Sequence, residues 1–297
     1  MTNFKLTVQS KSPQQLGAFL MKNGFSKQAI NNAKNHQGLI LVNHRRRYTS
    51  YKLHLGDEII FVPGCEQANP WLKSSDKPLT IVKEEQNYLV VNKPAGVLSI
   101  PSRYEDNDAL VNRVLGYFNY QRQSDLKPHV ITRLDRDTSG LVLIGKNPIA
   151  HARFAKLSKV DFVKKYHAIV HGNFNHGELT GIIKAPIGQK NGTVVRQIDP
   201  TGQTAATEYH VLEQVKGASL VELRLFTGRT HQIRVHMQSL GHPLFGDPLY
   251  GVKDVFSRQA LNCYYLAFPD PFDLDQQVEI KIPEPLDMQQ LWQNLQG

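Results

Sequence analysis

The chain has only two cysteines in 297 residues, Cys65 and Cys263, far apart and in no metal-ligand spacing. That scarcity excludes a disulfide scaffold and a Cys-rich zinc module. No apolar run approaches the 18 residues that read as a membrane helix, so no span is expected. The opening Met1-Thr2-Asn3-Phe4-Lys5 lacks the apolar stretch of a secretory signal. With two reduced cysteines, this points to a cytoplasmic protein. A Gly-rich loop ending in Lys-Ser or Lys-Thr is also missing, which argues against nucleotide hydrolysis. His231 and His236 are five apart, not the four that would set two zinc ligands on one helix face, so each reads as a capping or core histidine. Neither a metal nor a small-molecule cofactor is expected.

What is present fits a globule with a sizeable core: 40% of residues are hydrophobic and 9% aromatic. The net charge of +9 is uneven. Residues 1–63 hold nine Lys or Arg against only Asp57 and Glu58, a balance of +7, whereas the remaining 234 residues hold 26 against 24. A small basic segment beside a nearly neutral body suggests an anchor for a polyanion, with nucleic acid the leading candidate.

Within that segment, Ser12-Pro13 reads as a helix start, with Leu16, Phe19 and Leu20 following at helical spacing and Gly24 ending the helix. Ser26 caps a second helix carrying Ala29, Ile30 and Ala33 on one face and stopping before Gly38. Residues 39–42 and 58–62 read as strands, and Asn43-His44-Arg45 and Gly56-Asp57 as turns. Lys22, Lys27, Lys34, Arg45, Arg46 and Arg47 fall away from the apolar faces, where they can neutralise phosphates without reading sequence. The segment resembles an S4 RNA-binding domain over residues 16–62. The pieces that match are Phe25-Ser26-Lys27, the Gly38-x-x-x-Val42-Asn43 turn and Leu55-Gly56-Asp57. Pro63, Gly64, Pro70 and Pro78 mark residues 64–78 as linker, which leaves residues 79–297 for a second domain.

In that second domain, residues 79–82 and 88–91 are extended, Asn92-Lys93-Pro94-Ala95-Gly96 is a tight turn, and residues 108–120 and 148–157 are helical. Val163-Lys164-Lys165-Tyr166-His167-Ala168-Ile169-Val170 alternates as a strand does. Residues 206–213 and 219–226 are further strands, and residues 230–239 form a helix with Ile233 and Met237 inward. The pattern is α+β, with hairpins rather than alternating βαβ units.

Two stretches carry chemistry. In Thr132-Arg133-Leu134-Asp135-Arg136-Asp137-Thr138-Ser139-Gly140, two carboxylates and two guanidiniums crowd ahead of the buried run Leu141-Val142-Leu143-Ile144. Charges at the lip of a core strand require partners. In Thr227-Gly228-Arg229-Thr230-His231-Gln232-Ile233-Arg234-Val235-His236, Thr230, Ile233 and Arg234 are neighbours at three- and four-residue spacing, and the arginine can hold a carboxylate from elsewhere. Mg²⁺ on Asp135 and Asp137, for phosphodiester cleavage, is disfavoured by the interleaved arginines.

The first stretch resembles the catalytic motif of the RluA-type pseudouridine synthases. Lys165-Tyr166-His167-Ala168 is similar to their second motif. Gly228 to His236, with Gly241-His242-Pro243-Leu244-Phe245-Gly246-Asp247, is similar to the third, and Asn92-Lys93-Pro94-Ala95-Gly96 fits as well. Thr132 stands where many members carry His. The resemblance implies a mixed, largely antiparallel-sheet catalytic domain behind a small S4-like α/β domain. It also implies an isomerase that cleaves the N-glycosidic bond of uridine, turns the base and rejoins it through carbon. By resemblance Asp135 is the catalytic carboxylate, as nucleophile or base, and Arg234 pairs with it. Tyr166 stacks on the base and takes the C5 proton, Ile233 walls the pocket, and Arg133 fills the gap left by the flipped uridine. Lys27, Lys34, Arg45, Arg46 and Arg47 would hold the RNA, ribosomal or transfer, and the protein would act as a monomer away from membranes. An RNA-binding protein or RNA chaperone without catalysis would use the same basic surface but would not need Asp135 together with Tyr166 and Arg234.

Overall fold

The computed structural model describes residues 3–9, 14–64, 66, 69–102, 108–123, 126–158, 161–190, 192–273 and 275–297. The expected helix start at Ser12-Pro13 and one of the two cysteines, Cys65, lie outside them. The chain forms two compact units: Met1–Val90 with Ile100–Thr132 and Leu143–Lys156, and Val91–Ser99 with Arg133–Val142 and Leu157–Gly297.

The first unit opens with β1 (Phe4–Thr7), β2 (Gln14–Gln15), α1 (Leu16–Lys22), α2 (Lys27–Asn35), β3 (Leu39–Val42), β4 (Arg45–Arg46), β5 (Lys52–Leu53) and β6 (Glu58–Val62). The sheet order is β1-β6-β3-β4, and β2 pairs with β5. Helix α1 begins at Leu16, later than the sequence suggests, because Gln14 and Gln15 are taken by Leu53 and Lys52 in that pairing. Helix α2 starts as expected: the Ser26 hydroxyl accepts from Ala29 N–H at 3.0 Å. Asn43 and His44 both have positive φ, 50° and 62°, so β3 and β4 meet in a two-residue turn that places Arg45 and Arg46 on a strand instead of in the turn. Leu16, Leu20, Ile59 and Phe61 are buried, with the Phe25 and Phe61 rings 4.4 Å apart. Strand β1 was not apparent in the sequence.

The same unit continues with β7 (Thr80–Glu84), the first half of β8 (Tyr88–Lys93), α3 (Leu110–Tyr120), β9 (His129–Val130), the second half of β10 (Ser139–Gly145) and α4 (Pro148–Phe154), the other halves of β8 and β10 belonging to the second unit. The strands run β10-β8-β7, with β9 on β10. Part of the stretch that reads as linker is fastened to α3. Asn112 Nδ2 donates to Lys73 O at 2.7 Å, and Ser75 N–H donates to Asn112 O at 3.0 Å. Asp108 accepts from Ser75 Oγ, Lys77 Nζ and two nitrogens of Arg113. Gly116 allows this approach, since a Cβ there would lie 1.9 Å from Ser75 O. Helix α4 ends at Phe154, three residues before the periodicity suggests.

The second unit adds β11 (Val163–His171), β12 (Thr180–Lys184), β13 (Ile187–Gln189), β14 (Arg196–Ile198), β15 (Ala206–Val215), β16 (Ala218–Leu225), α5 (Gln232–Ser239), β17 (Leu261–Pro269), β18 (Gln277–Lys281) and α6 (Leu286–Gln296). Its sheet runs β12-β15-β16-β11-β17, antiparallel throughout, with β18 on β17. The start of β10 joins β17 in parallel, Ser139 opposite Asn262 and Gly140 opposite Cys263. The fold is thus α+β and largely antiparallel. Alternation along β11 sorts its residues as expected. Tyr166 faces inward in register with Leu223 and Tyr209, while Lys165 and His167 align with Arg224 and Glu222 on the other face. Strands β12–β14, β17 and β18 and helix α6 carry no signal read in the sequence.

Candidate active site

The loop from Leu134 to Ser139 is held from outside at five of its six residues, each by a different partner. Ser99 Oγ donates to Leu134 O at 2.8 Å and accepts from Leu134 N–H at 3.1 Å. Lys93, fully buried, donates to Arg136 O at 2.8 Å, and also to Val97 O and Pro94 O. Arg258 Nη1 donates to Asp137 O at 3.2 Å, while its Nε and Nη2 grip Asp287 of α6 at 2.6 and 2.9 Å. Gln259 Nε2 reaches Thr138 Oγ1 at 3.2 Å, and Ser139 Oγ donates to Asn262 Oδ1 at 2.9 Å. The turn closes on itself through Thr138 N–H to Asp135 O, 3.2 Å. Gly140 then enters the strand at φ +116°, where a Cβ would meet Cys263 O at 2.3 Å, so only glycine lets β10 lie this close to β17. Buried cations that donate to carbonyls hold the backbone in place, because moving it would leave a buried charged donor unpaired.

Asp135 projects from this loop with its side chain 30% exposed, and Arg234 Nη1 lies 3.8 Å from Asp135 Oδ2. The family resemblance implies this pair, and the structure brings the two residues together. Arg234's main partner is nevertheless another residue. Its Nε and Nη2 donate to Asp247 Oδ2 and Oδ1, both at 2.7 Å, in a buried bidentate pair. Asp247 Oδ1 also accepts from Leu249 and Tyr250 N–H. Burial opposes the charge on Arg234, but the Asp247 hydrogen bonds and the charges of Asp247 and Asp135 outweigh it and raise its pKa. Sequence reading gave Asp247 no role; its only signal was its place in the Gly246-Asp247 pair of the third motif.

Tyr166 is 4% exposed and sits where β11 and β17 fall out of step. Lys165 pairs with Tyr265 and His167 with Asn262, so Cys263 and Tyr264 both lie opposite Tyr166. Such bulges re-aim a side chain next to active sites. Burial first, then Cys263 and the nearby charge of Asp135, push the Tyr166 phenol well above its ordinary range. Burial also pushes the Cys263 thiol up to about 11. Ile233 is buried beside Arg234 at the start of α5. Helix α5 is preceded by His231 at φ 57°, whose Nδ1 meets the Tyr250 hydroxyl at 2.9 Å. Burial is the main cause that lowers the His231 pKa. His236 is a core histidine between Thr207 Oγ1 (2.8 Å) and Ala185 O (3.0 Å). Among the described residues no three His, Cys, Asp or Glu side chains cluster as a metal site requires.

Arg133 and Arg136 are exposed. Thr132 is buried, its hydroxyl accepting from Leu143 N–H at 2.9 Å. In the first unit, Lys34, Arg46, Arg47 and Tyr48 line one cavity of about 390 Å³, while Lys27 and Arg45 are exposed outside it. Arg47 also stacks over Tyr51 at 4.8 Å.

A family model described as RNA pseudouridylate synthase matches residues 87–239, which include the loop, Tyr166 and Arg234. The chain belongs to that family. Among its relatives is a protein named uncharacterized RNA pseudouridine synthase YjbO of Bacillus subtilis, 36% identical over 271 residues that span 90% of this chain and 94% of the relative. A ribosomal large subunit pseudouridine synthase D of Zymomonas mobilis is 39% identical over 240 residues, 74% of each chain. A solved human structure, RNA Pseudouridylate Synthase Domain Containing 1, superposes with a TM-score of 0.59 at 28% identity, covering 71% of this chain and 86% of that one. The motifs place this RNA pseudouridine synthase in the RluA-type group, and its activity is that of an isomerase. Among the described residues, no helix of the synthase is long and apolar enough to cross a membrane.

Proposed function

We propose that this synthase isomerises uridines of ribosomal RNA, with Asp135 as the carboxylate that attacks the target nucleotide. The observation that carries this reading is the loop itself. Leu134, Arg136, Asp137, Thr138 and Ser139 are each held by a partner outside the loop, and the Asp135 side chain set between them faces a guanidinium already neutralised by Asp247. Arg234 can therefore aim the carboxylate at 3.8 Å without quenching it in a tight pair. Preorganised charge of this kind costs no rearrangement when the reaction occurs. Tyr166 stacks on the base and passes the C5 proton. Because its phenol is held protonated, the hydroxyl works as a neutral relay and not as a phenolate. Ile233 walls the pocket and Arg133 occupies the gap left by the flipped uridine.

Ribosomal RNA is the target we assign because relatives covering most of the chain bear large-subunit synthase names. We treat residues 1–63 as an S4-like RNA anchor, with Lys27, Lys34, Arg45, Arg46 and Arg47 on phosphates, residues 64–78 as the connection and residues 79–297 as the catalytic domain. We treat the synthase as a monomer, and a cytoplasmic location suits both the RNA and the free, buried Cys263.

The test is to map pseudouridines in ribosomal RNA from cells carrying the wild type, no synthase, or Asp135→Asn. Specific positions should be lost equally in the last two strains. Purified Asp135→Asn should keep its fold and RNA affinity but show at least a thousandfold slower turnover. Wild-type-like turnover by this variant would overturn the role of Asp135, and unchanged ribosomal maps in the deletion strain would overturn the choice of RNA.

A further inference from the structure

The hairpin of β13 and β14 carries an arginine that the reaction described above leaves unused. Arg196 opens β14, and its backbone N–H donates to the Tyr250 hydroxyl at 2.7 Å. That hydroxyl also meets His231 Nδ1, and the Tyr250 ring lies 4.9 Å from the Arg234 guanidinium, which in turn reaches Asp135. Ile187, Ala205, Val235 and Tyr250 pack as one cluster with Val195 against it, which fixes the hairpin on α5. Arg196 is thereby anchored through Tyr250 to the residues around the reacting carboxylate.

Its guanidinium is not engaged as the other arginines here are. Arg234 clasps Asp247 and Arg258 clasps Asp287. Arg196 joins no ion pair among the described residues, and its Nε is buried without a hydrogen-bond partner. The charge is felt at His231, where burial is the main cause of the lowered pKa and Arg234 and then Arg196 add to it. A buried donor without an acceptor is costly, and an incoming anion recovers that cost. For an enzyme that works on RNA, the anion at the site is the phosphodiester beside the target nucleotide, and a guanidinium matches its oxygens in a bidentate fork.

We propose that Arg196 is a phosphate-binding residue of the active site, holding the RNA backbone next to the uridine that reacts. This rests on Asp135 being the reacting carboxylate. The arginine supplies register: one fixed phosphate sets how far the flipped base enters toward Asp135.

The experiment uses full-length wild type, Arg196→Gln, Arg196→Lys, and Lys216→Gln in the exposed β15–β16 turn as a control for one lost surface charge. Binding to an unmodified transcript of large-subunit ribosomal RNA is measured across a salt series, alongside steady-state turnover and melting temperature. Arg196→Gln should bind about tenfold more weakly. Its slope of log affinity against log salt should be shallower by about 0.7 to 0.9, the value for one phosphate, and KM should rise more than kcat falls. Arg196→Lys should keep the wild-type slope and recover part of the affinity, and Lys216→Gln should match the wild type. A wild-type slope and affinity in Arg196→Gln would overturn the proposal. So would a loss that follows a lowered melting temperature and is not rescued by lysine. A wild type that converts no uridine in the transcript would instead count against ribosomal RNA as substrate, while the slopes would still decide whether Arg196 meets a phosphate.

Discussion

Arg234 serves two aspartates with different parts of one guanidinium, and the two should answer differently to mutation. Asp247 is buried and bound bidentately, so Asp247→Asn leaves a buried cation uncompensated. Removing one partner of such a pair costs about 3–5 kcal/mol, to be read as a lower urea midpoint, and activity should fall with it as Arg234 swings toward Asp135. Asp135 is partly exposed and sits 3.8 Å from Arg234, so Asp135→Asn should abolish turnover at little cost in stability. If Asp247→Asn proved as stable as the wild type, the bidentate pair would not be the scaffold on which Asp135 is aimed.

Helix α3 offers a test in which local and tertiary physics give opposite signs. Gly116 lies in the helix interior, where alanine is intrinsically better by about 1 kcal/mol, so propensity alone makes Gly116→Ala stabilising. A Cβ at that position would lie 1.9 Å from Ser75 O, in the segment that Asn112, Asp108 and Arg113 tie to the same helix. The backbone would have to move and those hydrogen bonds would loosen. Gly116→Ala should therefore lower the melting temperature, with amide exchange rising first in residues 73–77. A raised melting temperature would mean that this segment is a free linker.

Across the whole molecule the charge is the feature that reaches furthest. Residues 1–63 carry +7 of the net +9. Arg46 and Arg47 line a cavity with Lys34 and Tyr48, and Arg45 stands exposed beside it on β4. Replacing Arg45, Arg46 and Arg47 together by Gln should make the salt dependence of RNA binding shallower by roughly 2 to 3 in log–log slope, about 0.7–0.9 per phosphate. KM should be affected far more than kcat. An unchanged slope would show that this basic surface is not an RNA anchor. Point changes serve here better than deleting residues 1–63, because Arg153 of α4 lies over the Phe4 and Phe25 rings and Lys156 donates to Met21 O. Truncation would strip cover from the remainder of the same unit.

Local features could be read along the chain: the Ser26 cap, the alternation that turns Tyr166 inward, the charged turn ahead of a fully buried strand, and the basic N-terminal segment. Each follows from groups a few residues apart, where periodicity and capping act. The pairing of Asp135 with Arg234 was legible through the family motifs, and the structure brings the two together. What steadies the two comes from distant parts of the chain. Asp247 takes the larger share of Arg234, Lys93 caps a carbonyl 43 positions away and Arg258 one 121 positions away. Tyr166 owes its setting to a bulge against Cys263, and α1 owes its late start to a strand pairing with Lys52 and Leu53. A buried cation finds its carbonyls, and a glycine its close neighbour, only once the chain has closed on itself. Nothing in the spacing of residues along the sequence encodes which distant backbone will arrive there.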